Sequence, residues 1–118
     1  MKKDNIIREK SFDFALNIIA LYKVLTEKKE FILSKQLLRS GTSIGANVEE
    51  ATAAQSANDF VHKLSIASKE ARETKYWLIL LQKSQLVDCD YSNHLRDIEE
   101  IINILTSIIK TMQEKIKK

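Results

Sequence analysis

The stretch "LRDIEEIINILTSIIKTMQEKI", residues 95–116, decides the fold because its apolar residues recur at alternating spacings of three and four. This spacing places side chains along one face of an α-helix and is typical of helices that pack side by side. The stripe consists of Leu95, Ile98, Ile102, Leu105, Ile109, Met112 and Ile116. A second stripe beside it consists of Ile101, Ile104 and Ile108. The pattern predicts a long helix over residues 91–117 that is apolar on more than one face.

Three further segments have the same helical period, and none shows the alternation of a β-strand. They predict helices over about residues 8–27, 32–56 and 58–84, with Asn58 as the N-cap of the third. The chain has no proline and only two glycines, which removes most turn and hairpin chemistry. We therefore predict an all-α fold, an antiparallel up-down-up-down four-helix bundle, with residues 1–118 as one domain.

The apolar residues exceed one core-facing stripe per helix. The run "YWLILL", residues 76–81, is apolar around most of the helix circumference, and the helix over 91–117 carries its second stripe. A bundle that packs alone needs one stripe per helix. The surplus predicts either a subunit interface or a thicker core, and we favour the interface.

Both glycines lie in "LLRSGTSIGANVEEA", residues 37–51, inside the predicted second helix. A phosphate-binding P-loop needs the pattern GxxxxGK[ST] after a strand, whereas only three residues separate Gly41 from Gly45 and no lysine follows. Each glycine costs a helix about 1 kcal/mol relative to alanine. Two interpretations account for that cost: a neighbouring helix approaches closely, or the helix kinks at Gly45 and restarts with Ser43 or Asn47 as a cap.

The sequence predicts no catalytic or metal-binding constellation. Di-iron bundles need two ExxH motifs, and the chain offers only Asp59-x-x-His62, because His94 has Tyr91 at the corresponding position. Cys89 is the only cysteine, which excludes an intrachain disulfide and a zinc site with paired cysteines. We predict no enzymatic activity, no metal and no cofactor. The alternative is an enzyme or a metal or cofactor carrier that uses the bundle interior, which would need buried ionisable residues.

The formal charge of +3 is unevenly distributed: residues 1–10 carry +2, residues 110–118 carry +3, and the remainder carries −2. In an up-down-up-down bundle both termini lie at one end, so the basic segments converge there. Such an end attracts a polyanion, or it is a solvated tail that aids solubility.

Cations on the second and third predicted helices are the candidate binding residues. Spacings of three and four residues place several of them on shared helix faces, where they can follow phosphates without reading base sequence. The candidate nucleic-acid-binding residues are Lys35, Arg39, Lys63, Lys69, Arg72 and Lys75. No exposed aromatic residue is predicted among them to stack single-stranded bases. A solvated polar face is the alternative.

The first residues, "MKKDNIIREKSFDF", lack the apolar core of a signal peptide. No apolar run approaches the roughly 18 residues needed to cross a bilayer. We expect a cytoplasmic protein without a membrane partner.

Two segments carry a resemblance to a known family. "SKQLLRSGTSIGANVEEA", residues 34–51, and "NDFVHKLSIASKEARETKYWLILL", residues 58–81, show in order the motifs QL.R...SI.AN..EA and F....IA...A.E....L. In these motifs the chain resembles the bacterial four-helix-bundle family first noticed as products of intervening sequences in 23S ribosomal RNA genes. The resemblance covers essentially the whole chain. Relatives include the accessory variability protein of diversity-generating retroelements.

The resemblance implies a homopentamer of four-helix bundles, no known enzymatic activity, and binding of RNA or DNA through basic surfaces. In the retroelement relatives it also implies a reverse transcriptase as partner. The chain departs from the family at Gly45, where many relatives have proline, which favours the kink, and at Ala51, where many have glycine. The motif positions that match are Arg39, Ser43, Ile44, Asn47, Glu50 and Glu73, which we interpret as a structural signature.

Overall fold

A computed structural model describes the backbone of residues 2–118 and the side chains of residues 5–118. Over these residues the chain forms four helices: α1 (Lys2–Glu27), α2 (Leu33–Thr52), α3 (Ala57–Ser84) and α4 (Ser92–Lys117). Each helix packs against its neighbours in sequence, and α1 also packs against α4, which closes an antiparallel bundle of 51 × 22 × 21 Å. The predicted all-α up-down-up-down four-helix fold is confirmed.

The connection from α1 to α2 is built by two charged residues. Lys29 has a left-handed backbone conformation, with φ 65°, just after the end of α1. This conformation prevents the helix from continuing. The Glu30 carboxylate accepts hydrogen bonds from the amides of Leu33 at 3.2 Å and Ser34 at 2.6 Å. These are amides that a helix start leaves without intrahelical partners, so Glu30 caps α2.

The connection from α2 to α3 differs from the prediction. α2 ends at Thr52 rather than at residue 56, and α3 begins at Ala57. The predicted N-cap, Asn58, is wrong: Ser56 has an extended backbone, and its hydroxyl accepts the Asp59 amide at 3.0 Å. A serine side chain at this position satisfies a free amide of the first turn, and Asp59 adds negative charge near the positive end of the helix.

One hydrophobic core receives side chains from all four helices. The prediction that the second stripe of α4 lies in a subunit interface is wrong for Ile101 and Ile108, because both are fully buried inside the bundle. α4 packs against both α1 and α3, so it buries a wider arc than the a/d seam alone. Ile116, in contrast, is exposed near the end of the helix.

The two glycines are sites of close helix approach. A Cβ atom at Gly41 would lie 2.9 Å from Ile18 Cγ2, and one at Gly45 would lie 3.3 Å from the carbonyl oxygen of Ser11. Both contacts are to α1, so α1 packs closely against the bare strip on α2. The close-packing interpretation is confirmed.

The restarted helix is not found. α2 is continuous from Leu33 to Thr52, and both proposed caps bond backward within it: Ser43 Oγ donates to the Arg39 carbonyl at 2.7 Å, and Asn47 Nδ2 donates to the Ser43 carbonyl at 2.9 Å. Short polar side chains make such bonds inside helices without ending them. The prediction that Ser43 or Asn47 caps a second helical segment is therefore wrong.

A polar contact crosses the core between α2 and α3. The hydroxyl oxygens of Ser40 and Thr74, both buried, are hydrogen-bonded at 2.8 Å. Each hydroxyl also lies within hydrogen-bond distance of a carbonyl of its own helix, Leu37 for Ser40 at 3.4 Å and Glu70 for Thr74 at 2.8 Å. The contact between them shows which residues of the two antiparallel helices lie side by side. None of the helices, over the residues described, combines the length and apolar character that a bilayer crossing requires.

Candidate functional site

The two candidate cations of α2 face away from the bundle. Lys35 and Arg39 lie two positions before and after the fully buried Leu37, which places each about 160° around the helix from that core residue. Both side chains are exposed, and neither forms an ion pair or hydrogen bond with another described side chain. They are one helical turn apart and free to meet an anion.

Two candidate cations of α3 have the same character. Lys69 lies two positions after the buried Ala67, and Arg72 lies two positions before the buried Thr74, so both are directed outward. Both are exposed and have no ion pair within the described part of the chain. α3 therefore carries a second pair of unneutralised cations.

The remaining two candidates are engaged with carboxylates. Lys63 Nζ lies 3.7 Å from Glu50 Oε1 on α2, and Lys75 Nζ lies 2.6 Å from Glu99 Oε2 on α4. Lys63 thus lies on the side of α3 that faces α2, and Lys75 lies on the side that faces α4. The charge of each is partly neutralised by its carboxylate partner. The six candidates do not form a single patch, although the prediction that they contact nucleic acid stays a prediction.

The four unpaired cations lie on adjacent helices within a short distance along the bundle. The contact between Ser40 and Thr74 sets the register of α2 against α3. In that antiparallel register Lys69 lies beside the stretch near residue 45 of α2, ten residues beyond Lys35, which is about 15 Å along the axis at 1.5 Å per residue. We call Lys35, Arg39, Lys69 and Arg72 the outward cations.

Only some cations of the predicted basic end are available to bind an anion. Arg8 donates to both carboxylate oxygens of Glu49, the shorter contact being 2.9 Å, and Lys10 pairs with Glu100. The carboxylate of Glu100 raises the pKa of Lys10 through this hydrogen bond. The other N-terminal cations, Lys2 and Lys3, have side chains outside those described. The C-terminal lysines are exposed: Lys110, Lys115, Lys117 and Lys118.

Sequence reasoning missed an exposed aromatic residue beside the outward cations. Tyr76 is 57% exposed and lies two positions from the buried Thr74 and Leu78, on the outward face of α3. Its ring packs edge-on against Trp77, with centroids 5.2 Å apart and planes at 70°. The expectation of no exposed aromatic among the cations is therefore wrong. The 4-3 spacing of Thr74, Leu78 and Leu81 was the signal that could have shown the exposure of the tyrosine, because it lies on the opposite side of the helix.

Sequence reasoning also missed an exposed apolar stripe on α1. Phe12, Leu16 and Ile19 are 64%, 51% and 38% exposed. Each is two positions from a buried residue of the same helix, so the stripe lies opposite the core-facing stripe. Their 4-3 spacing, offset by two from the core spacing of Phe14 and Ile18, was the signal that could have revealed it.

The bundle interior carries little ionisable chemistry. Five buried side chains among residues 5–118 carry a hydroxyl: Ser11, Ser34, Ser40, Thr74 and Tyr91, whose hydroxyl donates to the Val87 carbonyl at 3.1 Å. No group of three histidine, cysteine, aspartate or glutamate side chains in the described part of the chain could hold a metal ion. His94 packs between α4 and α1, where its Nδ1 atom is buried without a partner among the described residues, and burial lowers its pKa.

A solved structure closely matches this arrangement. It is the crystal structure of a protein of unknown function, from the S23 ribosomal protein family of Bacteroides thetaiotaomicron VPI-5482. The two chains are 54% identical over 92% of this chain and 98% of the other, and their structures superpose with a TM-score of 0.87. None of the curated proteins compared with the chain matches it.

The match to a family description covers almost the whole bundle, from the first turns of α1 into the second half of α4. The matched residues include both motif segments, on α2 and on α3. Within the α2 segment, Gly45 lies against α1, and the Ser43 hydroxyl donates to a carbonyl of its own helix. The model of the 23S rRNA-intervening sequence protein family matches residues 3–107, and the chain belongs to that family.

Proposed function

We propose that this protein is a non-catalytic, self-associating four-helix bundle that binds nucleic acid and acts as an accessory or interaction protein. The observation that carries the proposal is the set of outward cations on α2 and α3. Lys35, Arg39, Lys69 and Arg72 are exposed and have no neutralising carboxylate among the described residues. Elsewhere on the bundle several cations are paired, as Arg8 is with Glu49.

This charge arrangement supports the binding of a polyanion. A cation that is already paired with a carboxylate gains little from a phosphate, whereas an unpaired surface cation releases condensed counterions from the nucleic acid when it binds. The outward cations lie on two adjacent helices along about 15 Å of the bundle, which suits contacts to successive phosphates. The family name refers to 23S ribosomal RNA, which supports RNA as the first ligand to test.

Self-association is supported by the exposed stripe on α1. Phe12, Leu16 and Ile19 present apolar side chains in a row along one solvent-facing side of the helix. Exposed apolar rows of this kind mark interaction surfaces in proteins that otherwise present polar faces. A second copy of the chain is the partner that we propose. The pentameric number and the reverse transcriptase partner implied by the resemblance stay predictions.

The binding proposal is tested by titrating the purified protein with RNA and with DNA over a series of salt concentrations. We expect affinity to fall linearly in a plot of log K against log salt, with a slope of about −0.7 per phosphate contact for a single strand. No binding at low salt would contradict the nucleic-acid function.

Self-association is tested by light scattering of the same sample, which measures the mass of the assembly. A monomer at micromolar concentration would contradict self-association.

A further inference from the structure

We propose that the outward face of α3 binds single-stranded nucleic acid, with a base stacked on Tyr76 between flanking cations. This inference deepens the proposed function and rests on it. The residues that form this α3 row are Lys69, Arg72, Tyr76 and Lys83. Their spacings of three, four and seven residues place all four on one face of the helix.

The cations of the α3 row are available for phosphates. Lys69, Arg72 and Lys83 are exposed and have no ion pair or hydrogen bond from their side chains to the residues described. From Lys69 to Lys83 the row runs about 21 Å along the helix. The carboxylate of Glu73 lies beside the row and keeps its negative charge, but its Oε1 accepts a hydrogen bond from Trp77 Nε1 at 3.4 Å rather than pairing with a cation of the row.

The aromatic ring distinguishes a single strand from a duplex. Tyr76 lies between the cations along the row, and its ring is held on one side by the edge-on contact with Trp77. With 57% of the residue exposed, part of the ring is open to solvent and can receive an unpaired base. The bases of a duplex are stacked on one another and cannot reach it, so only a single strand gains both phosphate contacts and stacking.

The contact between Tyr76 and Trp77 allows base stacking on Tyr76 to be measured by fluorescence. Trp77 is the only tryptophan in the chain. Because its ring centroid lies 5.2 Å from that of Tyr76, a base stacked on Tyr76 changes the surroundings of Trp77 and its fluorescence. A strand that binds elsewhere, for example at the C-terminal lysines, leaves this emission unchanged.

The experiment titrates the full-length protein with oligo(U), with oligo(dT) and with a duplex of equal length, and records both affinity and Trp77 emission. Tyr76→Leu keeps the apolar bulk and removes the ring, whereas Tyr76→Phe keeps the ring and is the control. We expect Tyr76→Leu to weaken single-strand binding about five- to a hundredfold, the range provided by one stacked base. Tyr76→Phe keeps the affinity, and neither change alters duplex binding. Circular dichroism verifies that both variants fold.

Four outcomes overturn the inference. If the wild type binds neither oligonucleotide at low salt, the proposed function fails with it. If the wild type binds but Tyr76→Leu binds equally well, or if Trp77 emission does not respond, stacking at Tyr76 is wrong while nucleic-acid binding stands. Tighter binding of the duplex than of both single strands also contradicts the inference.

Discussion

Gly41 shows how a single residue determines the distance between two helices. A methyl group there would lie 2.9 Å from Ile18 Cγ2 and 3.0 Å from Ile18 Cγ1, which is closer than side chains pack without displacement. The helix-propensity cost of glycine, about 1 kcal/mol, is therefore offset by the close contact of α1 with α2. Gly45 has the same role one turn later, against the backbone of Ser11.

We expect Gly41→Ala to lower the free energy of unfolding by about 1 kcal/mol. Overpacking costs typically 1–3 kcal/mol, and the better helix propensity of alanine returns about 1 kcal/mol of this. Urea denaturation measures the change. The Ile18→Ala background removes the clashing atoms, so the same glycine substitution should be stabilising there. Equal effects in both backgrounds would show that the close approach does not explain the glycine.

His94 gives the α1–α4 contact a dependence on pH. Burial lowers the pKa of its imidazole from 6.5, while a hydrogen bond to the backbone of Asn17 and the carboxylates of Asp97 and Asp90 act in the opposite direction. Well above pH 6.5 the ring is neutral in both the folded and the unfolded chain and contributes no pH dependence. Below it the unfolded chain takes up the proton first, so stability is lost as pH falls through 6.5.

We therefore expect the free energy of unfolding of the wild type to decrease between pH 7 and pH 5.5 relative to that of His94→Gln. Glutamine is polar but does not titrate, so the variant keeps all other pH-dependent groups and serves as the reference. Urea midpoints at closely spaced pH values measure the difference. Parallel curves for the two proteins would mean that His94 titrates alike in both states.

At the scale of elements, α1 has two stripes with different roles. Phe14 and Ile18 are buried in the bundle, and the opposite stripe of Phe12, Leu16 and Ile19 is exposed. The sequence revealed the first stripe, because its spacing defines the core-facing side of a helix. It assigned the surplus apolar surface to residues 76–81 of α3 and to α4, where Ile101 and Ile108 are in fact buried by neighbours on both sides. Periodicity alone does not show how many neighbours a helix has.

We expect Leu16→Glu to convert the assembly to monomers, because a charge in the centre of the α1 stripe would be buried on association without a partner. Leu86→Glu is the matched control: Leu86 has a similar exposure, 58%, but lies in the connection between α3 and α4, outside the stripe. Light scattering measures the mass of both variants. Dissociation by Leu86→Glu but not by Leu16→Glu would place the interface at the end of the bundle that holds the connection between α3 and α4.

At the scale of the whole molecule, the fold could be predicted from the apolar spacing and the absence of proline. The arrangement of the candidate binding residues could be predicted only in part. Helix spacing placed Lys35 and Arg39 correctly on one face of α2. It could not show that Lys63 and Lys75 meet Glu50 and Glu99, because those carboxylates lie on neighbouring helices. The spacing of Thr74 and Leu78 does place Tyr76 on the outward side of α3. Its exposure was missed because the apolar run over residues 76–81 predicts burial on both sides of the helix.

The central claim is that the outward cations, rather than the basic end, hold nucleic acid. Its most direct test compares two variants that each lose four charges. In one, Lys35, Arg39, Lys69 and Arg72 are changed to glutamine, and in the other Lys110, Lys115, Lys117 and Lys118 are. For a single strand we expect the first variant to reduce the salt slope of log K by about 3 and the second to leave it nearly unchanged. The reverse result would assign binding to the end of α4 and contradict the account.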